Sequence, residues 1–273
     1  MPLSLRNCLF GLLTAVAFTR CADLKEVGRF AVASQQVMDK NRSAAAGYAS
    51  YSQDSIYLFH YLPDHLRDVD CHCDAARQAD AGIAGEYALL STYFGVLAKF
   101  ADPKASISFA PIGAPLPAGD YGSVSITTQE AGFAAALAKG LTALATTQYK
   151  ARRIPGFMAT YRDSVAPLIT LLKIRADNLA GKVGVLQLQL DRVADSLISF
   201  AAHKELKMPV LFVYEQKKKE LEGEQTAYRQ RAYELETVIA GGQLIVDNID
   251  NLHSASFRDK MVSVVGAISL HVK

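Results

Sequence analysis

The sequence predicts an all-α protein: an elongated antiparallel helical bundle with a long coiled-coil-like helical hairpin. Three observations predict it. First, Val165, Ile169, Leu172, Ala176, Leu179, Val183, Leu186, Leu190, Val193, Leu197 and Phe200 alternate at spacings of four and three, the seam of a heptad pattern. Second, apolar residues elsewhere also recur at three and four rather than at two. Third, four of the nine prolines fall in one stretch, 103–127, which leaves long intervals free to be helical.

The elements follow in order. From Asp23 to Leu62 the positions Val27, Phe30, Ser34, Val37, Asn41, Ala44, Tyr48, Tyr51, Ser55, Leu58 and Leu62 share one helical face, and Pro63 stops it. The small and polar members of that face suggest close helix approach. A second helix is expected over 74–100, burying Ala76, Ala79, Ile83, Tyr87, Leu90, Phe94 and Leu97, with Asp102-Pro103 as its stop. Residues 103–127 read as a long Pro/Gly-rich loop, with a weak strand or hairpin signal at 123–127. Thr128 is placed to cap a third, Ala-rich helix, with Glu130 near its positive end. The heptad helix is expected over 160–206, starting or kinking at Pro167. Met208-Pro209 should break the chain before a return helix, 210–252, with a seam of Leu221, Tyr228, Leu235, Val238, Ile245, Ile249 and Leu252. Gly241-Gly242 in it allows close packing or a kink. A last helix, 256–272, carries Phe257, Met261, Val264, Val265 and Ile268 on one face. The seam could serve a coiled-coil partner, but pairing with the return helix is entropically cheaper.

The organisation is an N-terminal signal or anchor segment, 1–22, and one helical domain, 23–273. Arg6 precedes an uncharged run, Cys8 to Thr19, whose length fits the hydrophobic part of an export signal. Cys21-Ala22-Asp23-Leu24-Lys25 directly after that run resembles the start of a mature bacterial lipoprotein. Arg20 stands where that family has a small residue, and Phe18 where it has an aliphatic one. The resemblance implies lipidation of Cys21 and a membrane-anchored protein on the periplasmic side of the cell envelope; a free periplasmic protein is the alternative.

Charge and motifs narrow the function. A net charge of +2 and a basic run, Lys217-Lys218-Lys219, surrounded by Glu215, Glu220, Glu222 and Glu224 do not point to nucleic acid. That run reads as a solvated face. No glycine-rich phosphate loop, G-x-S-x-G, H-E-x-x-H or Glu-x-x-His pair occurs, so an enzyme is not expected and neither is a cofactor. The cluster of reactive side chains is His60, His65, Cys71, His72 and Cys73. Thiolate and imidazole are zinc or copper ligands, but Cys71-x-Cys73 is tighter than the spacing of structural zinc sites. A Cys71–Cys73 disulfide, free thiols, pairing with another chain or a bridge to Cys21 compete with a metal. Tyr48, Tyr51, Tyr57, Tyr61, Tyr87 and Tyr93 are expected to line helix interfaces. Asn41-Arg42-Ser43 matches a glycosylation sequon, on a helix.

The leading expectation is a non-enzymatic exported scaffold or adaptor. Its partners would be a protein at the envelope and the membrane, reached through the N-terminal segment; self-association is compatible with the seam. The alternatives are a membrane-active, pore-forming-like bundle using the Ala-rich segment 131–147, and a metal- or redox-responsive protein using Cys71, His72 and Cys73.

Overall fold

The structure, a computed structural model, describes residues 5–44, 47–59, 73–102, 117–121, 124–145, 154–200 and 204–272. Side chains are described within these except at 5–23, 57–59, 143–145, 154–156, 200, 204–206 and 271–272. The elements are α1 (Leu5–Ser43), α2 (Tyr48–Phe59), α3 (Cys73–Ala101), β1 (Gly119–Tyr121), β2 (Val124–Ile126), α4 (Thr128–Ala145), α5 (Ile154–Thr160), a π-helical turn (Tyr161–Val165), α6 (Ala166–Phe200), α7 (Lys204–Asp247) and α8 (Ala255–Val272). The fold is an all-α helical bundle.

The hairpin of α6 and α7 is its spine. Lys173 pairs with Glu236 at 3.8 Å, Gln225 Nε2 donates to the Ala180 carbonyl at 3.1 Å, and Lys218 meets Asp191 at 3.7 Å. Falling residue numbers on α7 against rising ones on α6 make the pair antiparallel. At 1.5 Å per residue α7 is about 65 Å long and α6 about 52 Å. The heptad seam is buried from Val165 to Leu190, then fades: Leu197 is 36% exposed. Beyond Leu190 the bundle thins, and Met208, Phe212 and Val213 of α7 are exposed as well.

Pro167 does not break the helix. It follows the π-turn, where the Ala166 N–H bonds the Tyr161 carbonyl five residues back. The wider turn takes up the strain that proline's ring puts on the preceding turn. Pro209 is not a break either, contrary to expectation. α7 begins at Lys204, and Pro209 sits early in it, where it removes one intrahelical bond rather than ending the helix. The return helix ends at Asp247, short of Leu252.

The first long helix is two helices, not one. α1 ends at Ser43 and α2 starts at Tyr48. Asp80 of α3 causes the break. Its carboxylate accepts the N–H groups of Gly47 at 3.3 Å, Tyr48 at 3.0 Å and Ala49 at 2.9 Å, so a tertiary anion satisfies the first amides of α2. Arg231 of α7 donates to the Ala44 carbonyl at 2.7 Å on the other side of the break. Despite the break, α1 and α2 together run antiparallel to α7. Lys40 reaches Glu234 at 2.7 Å, and Asp54 of α2 accepts from Lys217 at 2.9 Å. Lys217 is therefore a tertiary tie, not part of a solvated face.

α3 lies antiparallel to α1, with all seven expected positions, Ala76 to Leu97, buried. Val27, Phe30, Ser34, Val37 and Asn41 bury the facing side of α1. α8 packs on α1 and α7 through Phe257, Met261 and Ile268. The expected loop holds a small antiparallel hairpin, β1 with β2, pairing Gly119 with Ile126. Thr127, not Thr128, caps α4, its Oγ1 accepting the Glu130 N–H at 3.2 Å.

Aromatic rings fill the middle of the bundle. Tyr93 stacks on Phe157 at 4.5 Å with an interplanar angle of 3°, and Phe94 meets Phe30 edge-on at 5.9 Å. Tyr48, Tyr87 and Tyr93 are buried as expected for interface tyrosines. Gly241 and Gly242 serve close approach. A Cβ on Gly241 would stand 2.2 Å from the Phe30 ring, and one on Gly242 would stand 1.9 Å from the Tyr161 ring.

Candidate functional sites

The cysteine–histidine cluster lies mostly outside the described residues: His60, His65, Cys71 and His72 all do. Cys73 is the first residue of α3 and is disulfide-bonded. The other three cysteines, Cys8, Cys21 and Cys71, are those whose side chains are not described. A disulfide here joins the start of a core helix to another part of the chain and restrains the unfolded ensemble. Thiol counting on the denatured protein should show two more reactive thiols after reduction than before, with a lower melting temperature for the reduced form. An unchanged count would remove the bond. Among the described residues no group of three His, Cys, Asp or Glu side chains could hold a metal ion.

Cys21 lies within α1, which runs unbroken from Leu5 into the core. The apolar run and the first core helix therefore share one helix. Among the described residues no helix is long and apolar enough to cross a membrane. The sequon asparagine is not available: Asn41 is buried, and its Nδ2 donates to Glu234 Oε2 at 3.3 Å.

The structure brings together a polar centre that the sequence reading did not single out. Arg175 of α6 projects between α3 and α4. Its Nη1 donates to Glu86 Oε2 at 2.9 Å, and its Nη2 pairs with Glu130 Oε1. Arg175 is 8% exposed, Glu86 3% and Glu130 2%. Two carboxylates thus share one guanidinium in a site shielded from water, where charge interactions are strong and an uncompensated charge is costly. Burial pushes the Glu86 carboxyl up to about 7, against the pull of Arg175, and the nearby Glu130 charge adds to the rise. The centre holds two carboxyls against one guanidinium. Glu130 therefore answers to Arg175, not simply to the positive end of its own helix.

A second polar cluster, beside the break between α1 and α2, ties α1, α3 and α7 together. Glu234 is buried and accepts from Lys40, Asn41 and, at 3.2 Å, Gln230. Burial holds the Asp80 carboxyl above its ordinary value, against the three amides it caps and the Arg231 charge. These contacts position helices.

Two cavities remain. A groove of about 880 Å³ lies between α1, α3 and α8. Lys25, Arg29 and Lys99 line it over an apolar floor that includes Val32 and Val265. Asp102 also lines it, Arg29 is paired with Glu26 at 3.0 Å, and α3 ends there with its negative pole. Asp102 and Glu26 offset two of the three basic side chains. The smaller cavity, about 230 Å³, lies beside Arg162, Asp163 and Val246.

No family model, no curated protein and no solved structure matches the chain.

Proposed function

We propose that this protein is a non-enzymatic scaffold or adaptor of the cell envelope, exported and held at the periplasmic side of a membrane by its N-terminal segment, with a protein as partner. The polarity of the bundle carries this reading. α1 continues the core helix back through Cys21 and the run Cys8 to Thr19, at the end where α7 finishes. The other end of α7 lies about 65 Å away. There Met208 and Phe212 are 70% and 72% exposed. An anchored base and an exposed apolar far end suit a spacer that presents a protein-binding surface at a distance. The buried ion pairs suit a scaffold, because they join separate helices.

The test is a Cys21→Ser variant in cells labelled with a fatty-acid analogue. Label on the wild-type chain, its loss in the variant and release of the variant from the membrane fraction are the expected results. Unchanged mobility and fractionation, with no label in either form, would remove the lipid anchor.

A further inference from the structure

We propose that α4 is a strap whose docking on the bundle is gated by pH, through the two carboxylates that share Arg175. The attachment of α4 is narrow. Ala134, Leu137 and Leu141 form its buried stripe, while Gly132, Ala135, Ala136, Lys139 and Thr142 face solvent. Ala131 and Ala138 add half-buried contacts beside the stripe, and a charged anchor is Glu130, in the first turn of α4, held against Arg175 of α6 and beside Glu86 of α3. Every group in this centre belongs to a different helix, so its net charge acts on the α4 contact directly.

With Glu86 protonated, the guanidinium balances the Glu130 carboxylate. When that proton leaves, a net negative charge stays in a site that water does not reach. Undocking α4 rehydrates Glu130 and relieves the excess charge, whereas α3 and α6 are held by many other contacts. Among the described residues Arg175 is the cation acting on Glu86, and Lys182 of α6 stands over the Tyr48 and Tyr51 rings. Tyr48 of α2 and Tyr87 of α3 are neutral, with burial pushing the Tyr48 hydroxyl up to about 12 and Tyr87 higher still. Tyr161 on the π-turn is likewise raised by burial, and Arg162 and Asp163 beside it are exposed and of opposite sign. Lys139, the basic residue of α4 itself, is on its outer face. Asp80 and Arg231, next along the bundle, act on each other and on the break between α1 and α2.

The sign is fixed by the direction of the Glu86 shift. A carboxyl raised in the docked state favours docking fully below its ordinary pKa, and that contribution is lost as pH rises to about 7 and above. α4 is therefore closed in mild acid and loosened in mild alkali.

Hydrogen exchange on the full chain tests this, comparing amides 131–142 with those of α6 and α7 between pH 4.5 and pH 8.5. After correction for the intrinsic rate, protection of α4 should fall by up to about tenfold per pH unit as pH rises towards about 7 and level off above it. The α6 and α7 amides should hold theirs. Glu86→Gln, which leaves one carboxylate to one guanidinium, should keep α4 protected across the range. Glu130→Gln should likewise abolish the pH dependence. Flat α4 protection in the wild type would overturn the proposal. Loss of protection in every helix together would also overturn it, since the opening would then be global, and so would an unaltered pH response in Glu86→Gln.

Discussion

Arg175→Met should lower the stability of the protein by roughly 3–5 kcal/mol at pH 8, the usual effect of removing one partner from a buried ion pair. For a chain of this size that corresponds to a fall in melting temperature of about 10 °C. Methionine approximates the volume of the arginine stem, so little of the loss is cavity. The loss comes from Glu86 and Glu130, left buried without a counter-charge. The pH dependence separates this from a packing defect. Without the guanidinium Glu86 loses the pull that opposes its burial, so at pH 5 it is protonated and can donate a hydrogen bond to Glu130. The deficit should therefore be largest at pH 8 and shrink markedly at pH 5. Urea melts at the two pH values give the answer, and an equal deficit at both would show that Arg175 supplies shape rather than charge.

Gly242→Ala should destabilise by about 2 kcal/mol, although alanine is the better helix former. A methyl group placed 1.9 Å from the Tyr161 ring must push apart α7 and the π-turn, or turn the ring. Overpacking of this kind costs up to about 3 kcal/mol, and the helix propensity of alanine returns about 1 kcal/mol. Tyr161 is 1% exposed, and its hydroxyl donates to the Val238 and Ile239 carbonyls at 3.4 Å, so it has little room to move. The companion substitution Tyr161→Leu makes space. In the double variant Gly242→Ala should be far less harmful than alone, and a double-mutant cycle would report a coupling of about 1–2 kcal/mol. Strict additivity would show that the two residues do not meet.

These two residues illustrate what was and was not legible in the sequence. The α3 face was fully legible, since seven apolar residues at helical spacing all proved buried. So was the α6 seam as far as Leu190, because periodicity and burial coincide there. Past that point Leu197 keeps the period without a helix to cover it, and a pattern alone cannot reveal where a neighbour ends. The break between α1 and α2 was invisible because its cap, Asp80, comes from another helix, over thirty positions along the chain. The buried charge centre was illegible for the same reason: Glu86, Glu130 and Arg175 form no motif, and only the fold brings them together. Pro209 misled because the loss of a single intrahelical bond does not end a helix whose remaining length packs against a partner. Gly241-Gly242 gave a true signal with two meanings, and the structure selects close approach over a kink.

The ties between the start of the chain and α7 have a consequence for the order of events during synthesis. Lys40 and Glu234 are 194 positions apart, Ala44 and Arg231 are 187 apart, and Asp54 and Lys217 are 163 apart. α1 can pair early with α3, but the ties that α1 and α2 make to α7 form only when the last quarter of the polypeptide has been made. Closing loops of this size slows completion of the native arrangement relative to a bundle of nearest-neighbour hairpins.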